Sequence, residues 1–378
     1  MYQQPKRLEF LDTIRGLAAM AVLLGHSIVF KWPPAILHLL NFPFLNILFN
    51  GEEAVAMFFV LSGFLLSRPY FISGQQGQPP RKLFLPTFYL RRFTRIWLPW
   101  FFAFVLSALA QMSIFRDWTT SLPTNEWFHT FWRVPFTFEN ALRQCLFIMH
   151  DPKIQLLNQD WSLGIELKAS ILLPLFIFLC GVWSPWSLLA VSTVWLVLSG
   201  MGYAYCSFIL GVILARHSGR VLAGLEAKPL PVKAGLLMLG LLFYEAHHFV
   251  TDWLGYSWAV RYSWVITSAG CMLILLASMS SRRIQATLHL PPLIFLGRIS
   301  YSIYLLQFIV ILCVLPAWMH LLNLWGIQRT VWLFPLNFIA SVCLTLGLAT
   351  LCHLWVEKPC IELGHRLSRK IQAKYGNG

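Results

Sequence analysis

Arg15 and His26 stand eleven residues apart in a stretch that is otherwise largely apolar. On a helix this spacing is about 20° past three full turns, with a rise of about 16 Å. Both side chains then point the same way, one near a membrane surface and the other about half a membrane deeper. An ionisable group inside a span costs at least about 2.5–3.5 kcal/mol, which makes each a functional candidate by default. Imidazole exchanges a proton near neutral pH and guanidinium holds its charge throughout. Gly16, Ala18, Ala19, Ala21 and Gly25 lie between them and allow a helix or ligand to come close. A plainer reading stays open, in which Arg15 snorkels to the interface and His26 bonds a carbonyl.

Three further constellations carry polar chemistry. Arg92 and Arg95, with Arg91 beside them, have the i, i+3 spacing that places two guanidinium groups on one helical face. Such a pair suits bidentate phosphate binding, and it suits a positive membrane anchor equally. In the segment Trp161-Ser162-Leu163-Gly164-Ile165-Glu166, a carboxylate about one turn inside a span requires a partner. That partner is Lys168, an arginine of another helix or a substrate hydroxyl. Glu357-Lys358-Pro359 closes the last apolar run, where Glu357 either meets the inner arginines or marks a helix stop. The run from Phe58 to Leu66 is apolar apart from Ser62 and reads as packing.

The elements that position these residues must be membrane helices. Hydrophobic residues make up 57% of 378 and charged ones 12%, about half the charge of a soluble domain. Apolar runs of spanning length fall at about 10–30, 50–67, 96–115, 162–182, 184–200, 201–216, 233–250, 262–280, 299–322 and 331–355. The expected fold is therefore all-α and integral to the membrane, with about ten transmembrane helices. With both termini in the cytoplasm, inner segments hold 20 Lys and Arg and outer ones 7, as the positive-inside rule requires. The net charge of +14 is spread over alternate loops, so nucleic acid is not an expected partner. The eight cysteines have no CxxC spacing and read as small buried hydrophobes, with neither metal nor disulfide expected. The first apolar run lacks a small-x-small cleavage site and is expected to be retained. A basic inner loop at 68–95 and a Trp-rich outer loop at 116–160 interrupt what is expected to be a single domain over 1–378.

Six segments in this order resemble the acyltransferase-3 family of multi-pass membrane proteins. They are Leu11-Asp12-x-x-Arg15-Gly16 through His26, FFVLSGFLL at 58–66, RRFTRIWLPW at 91–100, WSLGIE at 161–166, FLGRISYSIYLL at 295–306 and VEKP at 356–359. The resemblance implies ten core helices, a cytoplasmic acyl-CoA donor and an extracytoplasmic glycan acceptor. It also implies essential roles for Arg15, His26, Arg92 and Arg95. Trp161, Ser162, Glu166, Tyr301 and Glu357 fall in its motifs as acceptor-side or structural residues. The chain departs from the family at Glu166-Leu167-Lys168, where a second acid and an aromatic usually follow, and at Gln307, where histidine often stands. No fused esterase-like domain is expected, which suggests a stand-alone transferase or one with a separate partner.

The chemistry expected from this resemblance is O-acyl transfer, most simply of acetyl, to a hydroxyl of a glycan or lipid-linked saccharide. Arg15, Arg92 and Arg95 would hold the anionic end of acyl-CoA, a co-substrate, with no tightly bound cofactor. His26 would take the proton from the attacking hydroxyl, and a covalent acyl-histidine is also chemically open. A plasma (bacterial inner) membrane location fits this pair of substrates. The rival class is a multi-pass transporter or flippase. A transporter is expected to show matching halves with broken spans, and no such internal symmetry is visible.

Overall fold

The computed structural model describes residues 9–28, 32–75, 85–113, 125–132, 137–147, 153–182, 202–255, 260–326 and 330–375, and every regular element in them is helical. In chain order the helices begin with α1 (Glu9–His26), α2 (Pro34–Leu40), α3 (Gly51–Gln75), α4 (Leu85–Ser113), α5 (Phe138–Cys145) and α6 (Asp160–Val182). They continue as α7 (Gly202–Glu226), α8 (Leu230–Tyr244), α9 (Ala246–His248), α10 (Val260–Ser280) and α11 (Arg282–Leu288). The last are α12 (Pro291–Ile309), α13 (Leu315–Leu324), α14 (Thr330–Cys352) and α15 (Lys358–Tyr375).

Among the described residues, seven stretches are long and apolar enough to cross a membrane: Gly51–Phe71, Leu85–Ser113, Asp160–Gly181, Ala204–Glu226, Tyr262–Ser280, Pro291–Leu324 and Phe334–Lys374. The chain is a multi-pass helical membrane protein. Of the other three expected spans, the run at 10–30 forms α1, whose 18 residues carry Glu9, Asp12 and Arg15. The run at 233–250 gives the shorter α8, and 184–200 lies outside the described residues. The run at 201–216 is the start of a longer helix, α7. The inner loop also contracts, because α3 continues to Gln75 and α4 begins at Leu85. Arg91, Arg92 and Arg95 therefore sit inside α4 rather than ahead of it. Of the outer loop, 116–124, 133–136 and 148–152 lie outside the described residues.

Prolines shape the last third of the chain. π turns at Val310–Val314 and His353–Glu357 lie just ahead of Pro316 and Pro359. A proline cannot donate to the carbonyl four residues back, and the helix widens locally to accommodate the loss. Five of the eight cysteines are buried as expected, whereas Cys343 is exposed and Cys145 and Cys360 are intermediate.

Two compact units divide the chain, with the divisions falling within α1, α6 and α12. Unit 1 comprises 1–18, 50–84 and 168–298. Its core is α3 packed on α7, where backbones meet at two glycines. A Cβ on Gly63 would overlap the Phe208 carbonyl, and one on Gly211 that of Val60. Gly63 belongs to the 58–66 run, so that run does serve packing. Gly16 and Gly297 make a second close approach in this unit. A Cβ on Gly16 would lie 2.5 Å from the Gly297 amide nitrogen. Unit 2 comprises 19–49, 85–167 and 299–378. There α4 packs on α15, and polar side chains of α4, α6 and α12 bond to one another.

Candidate active site

His26 is the last residue of α1 and half-buried in unit 2. Its Nδ1 lies 3.3 Å from Gln307 Oε1. Gln307 is fully buried, and its Nε2 donates to the Tyr304 carbonyl at 3.3 Å. That second bond turns the amide oxygen toward His26. An oxygen can only accept, so Nδ1 carries the proton and Nε2 presents its lone pair. Such a tautomer is what a proton acceptor needs. The Trp127 ring stacks on the imidazole with centroids 5.1 Å apart, and Phe308 meets it edge-on at 4.9 Å. Phe131 packs against Trp127 and Phe308 at 4.6 and 5.2 Å, completing an aromatic wall.

Behind Gln307 the start of α6 is stitched to α12. Gln159 Nε2 donates to the carbonyls of Tyr304 and Leu305 at 3.0 and 2.7 Å. Ser162 Oγ and the Tyr304 hydroxyl are 2.6 Å apart, and Ser162 also donates to the Gln159 carbonyl. Trp100 of α4 donates its indole N–H to Asp160 at 2.6 Å. Trp161, next in α6, is half-buried. The Tyr301 hydroxyl donates to the Ile96 carbonyl at 2.7 Å, tying α12 to α4.

Glu166 has an arginine partner from another helix: Arg92 Nη2 lies 2.8 Å from its carboxylate. Lys168 is exposed. Arg92 is buried and Arg95 exposed, so the two arginines differ in surroundings despite their i, i+3 spacing. Glu357 pairs not with an arginine but with His353, at 2.9 Å, and accepts from Ser302 at 2.8 Å. In unit 1, Arg15 pairs with Asp12 of the same helix at 2.6 Å.

The candidate site residues thus fall in two sets, Arg15 paired with Asp12 in unit 1, and His26, Arg92, Arg95, Trp161, Ser162, Glu166, Tyr301 and Glu357 in unit 2. Sequence reasoning missed the role of Gln307, which stands out in the sequence only as a departure from the family. It also missed Gln159, a polar residue two places ahead of the Trp161 motif, and Trp127, hidden among other tryptophans. Among the described residues no group of three or more His, Cys, Asp or Glu is arranged to hold a metal ion. No curated protein and no solved structure matches the chain. The family model described as an acyltransferase domain, that of the acyltransferase-3 family, matches residues 8–354, and the chain belongs to this family of membrane acyltransferases.

Proposed function

We propose that the protein transfers an acyl group, most simply acetyl, from cytoplasmic acyl-CoA to a hydroxyl of an extracytoplasmic glycan or lipid-linked saccharide. The observation that carries this reading is His26, held by Gln307 with Nε2 available to accept and flanked by aromatic faces. Aromatic faces stack on sugar rings, and a fixed tautomer favours general-base chemistry. Nε2 takes the hydroxyl proton as the oxygen attacks the thioester carbonyl. The new C–O bond forms, the C–S bond breaks, and the proton passes to the departing CoA thiolate. Arg15, Arg92 and Arg95 serve the donor side, with Arg92 held in place by Glu166. Ser162, Tyr301 and Glu166 shape the site by joining α4, α6 and α12, Glu357 holds Ser302 of α12, and Trp161 at the start of α6 serves the acceptor side.

In this reading ten helices cross the plasma membrane with both termini inside. A cytoplasm-specific reporter fused after Gly378 is then active, and an exported C-terminus refutes the topology. Purified protein given radiolabelled acetyl-CoA and candidate glycans tests the chemistry itself. Label in the glycan with stoichiometric release of free CoA thiol supports transfer. Glycan movement across the bilayer without thiol release would instead identify a flippase.

A further inference from the structure

Three arginines and a histidine converge in unit 2 that the transfer chemistry does not use together. Helices α4 and α15 pack antiparallel: Gly364 is seated on Thr94, and Ser368 Oγ donates to the Thr87 carbonyl at 3.5 Å. Gly364 and Ser368 are buried, while the residue after each, His365 and Arg369, is exposed on the flank of that seam. Arg91 and Arg95 have the same i, i+4 spacing on α4 and frame Thr94. The charges that act on His365 come from Arg91, Arg369 and Arg95, all of them cationic. Arg91 Nε is buried with no hydrogen-bond partner among the described residues. The ion pair formed on α15, Arg366 with Glu362 at 3.6 Å, involves none of the four.

A positive-inside anchor needs basic residues in a loop and not several of them acting on one histidine. Like charges brought together repel, and a buried donor left without an acceptor is costly. Both costs are relieved when an anion with several acceptor oxygens lies along the flank of the seam, and arginine forks match a phosphate best. We propose that Arg91, Arg95, His365 and Arg369 form a phosphate clamp across α4 and α15 that takes the terminal phosphate monoester of the donor nucleotide. The choice of ligand depends on the acyl-CoA reading, and an anionic lipid headgroup offers the same phosphate chemistry.

The test uses the full chain in phosphatidylcholine nanodiscs, titrated with CoA and with 3′-dephospho-CoA. The variants are His365→Ala/Arg369→Ala and, as a control, Arg366→Ala, which removes another exposed arginine of the same helix. Losing charge-assisted contacts should weaken CoA about tenfold or more in the double variant. Affinity for 3′-dephospho-CoA and the behaviour of Arg366→Ala should stay within about twofold of wild type. Equal CoA affinity in wild type and the double variant overturns the clamp, as does an equal loss in Arg366→Ala. If the wild type does not bind CoA at all, the donor reading fails. Nanodiscs containing labelled phosphatidylglycerol then decide the clamp separately. Selective lipid binding lost only in the double variant sustains it as a headgroup site, and unchanged lipid binding removes it.

Discussion

Replacing Gln307 by leucine isolates the group that orients His26. The two side chains are similar in size, and Gln307 is fully buried, so the change leaves no large cavity. The Tyr304 carbonyl loses one donor yet keeps Gln159 Nε2 at 3.0 Å. What goes is the acceptor 3.3 Å from His26 Nδ1. A buried donor deprived of its acceptor costs about 1–3 kcal/mol. The length of this bond and the partial exposure of His26 place the cost near 1–2 kcal/mol, about five- to thirtyfold in kcat. The imidazole is then free to turn and to exchange tautomers, so the loss falls on kcat while KM for the donor stays put. Gln307→His restores a ring nitrogen acceptor and should recover most of the rate. Steady-state transfer of radiolabelled acetyl on protein of verified thermal stability reads both constants. A Gln307→Leu rate within about twofold of wild type refutes the orienting role, as does a raised KM without rescue by histidine.

Other perturbations separate chemistry from scaffold. His26→Gln keeps a hydrogen-bonding amide but no base, so transfer should drop by about 10²-fold or more, while CoA affinity, read by equilibrium binding, is unchanged. Arg92→Met leaves Glu166 without its arginine in a largely buried setting and should cost about 3–5 kcal/mol. Glu166→Met should cost a similar amount and the double variant much less than the sum, so additive changes in thermal midpoint would deny the coupling. Gly63→Leu drives a side chain into the Phe208 carbonyl and should destabilise by at least about 1–3 kcal/mol. A variant that inserts normally and keeps its melting temperature would show that α3 and α7 can part there.

Much of the fold was legible because lipid leaves few choices. Backbone groups without water must be satisfied within each segment, so an apolar run of spanning length is a helix. Runs near 50–67, 162–182 and 262–280 appear accordingly as α3, α6 and α10. Helix ends were less legible, because hydropathy stops at the edge of the hydrocarbon and hydrogen bonding does not. Leu85 to Arg95 is polar enough to read as loop, yet it forms the first turns of α4. Of the site, types and motifs could be read, but partners could not. The need of Glu166 for a counter-charge followed from burial alone. The choice of Arg92 over Lys168 depends on which way α6 faces, and a run apolar on every side carries no such signal. Gln307 was visible only as an exception to the family pattern.

The motifs make sense as pairs within each unit. In unit 1 the segment around Arg15 meets the segment around Gly297 through two glycines that admit no Cβ, Gly16 and Gly297. Side chains would separate these helices and carry away the Thr13 bond to the Leu288 carbonyl, which is 2.8 Å long. In unit 2 the arginine motif of α4 holds Glu166 of α6. Tyr301 of α12 donates to Ile96 of α4, one residue beyond Arg95. Ser162 of α6 closes the triangle through Tyr304 of α12, and the next turn of that helix delivers Gln307 to His26. Each link joins residues far apart in sequence, so losing one motif removes the partner of another. Five of the six short, individually weak segments are joined in this way, and the sixth, at 58–66, packs on α7. Each supplies the close approach, the charge or the acceptor that its neighbour lacks in a solvent offering none of these.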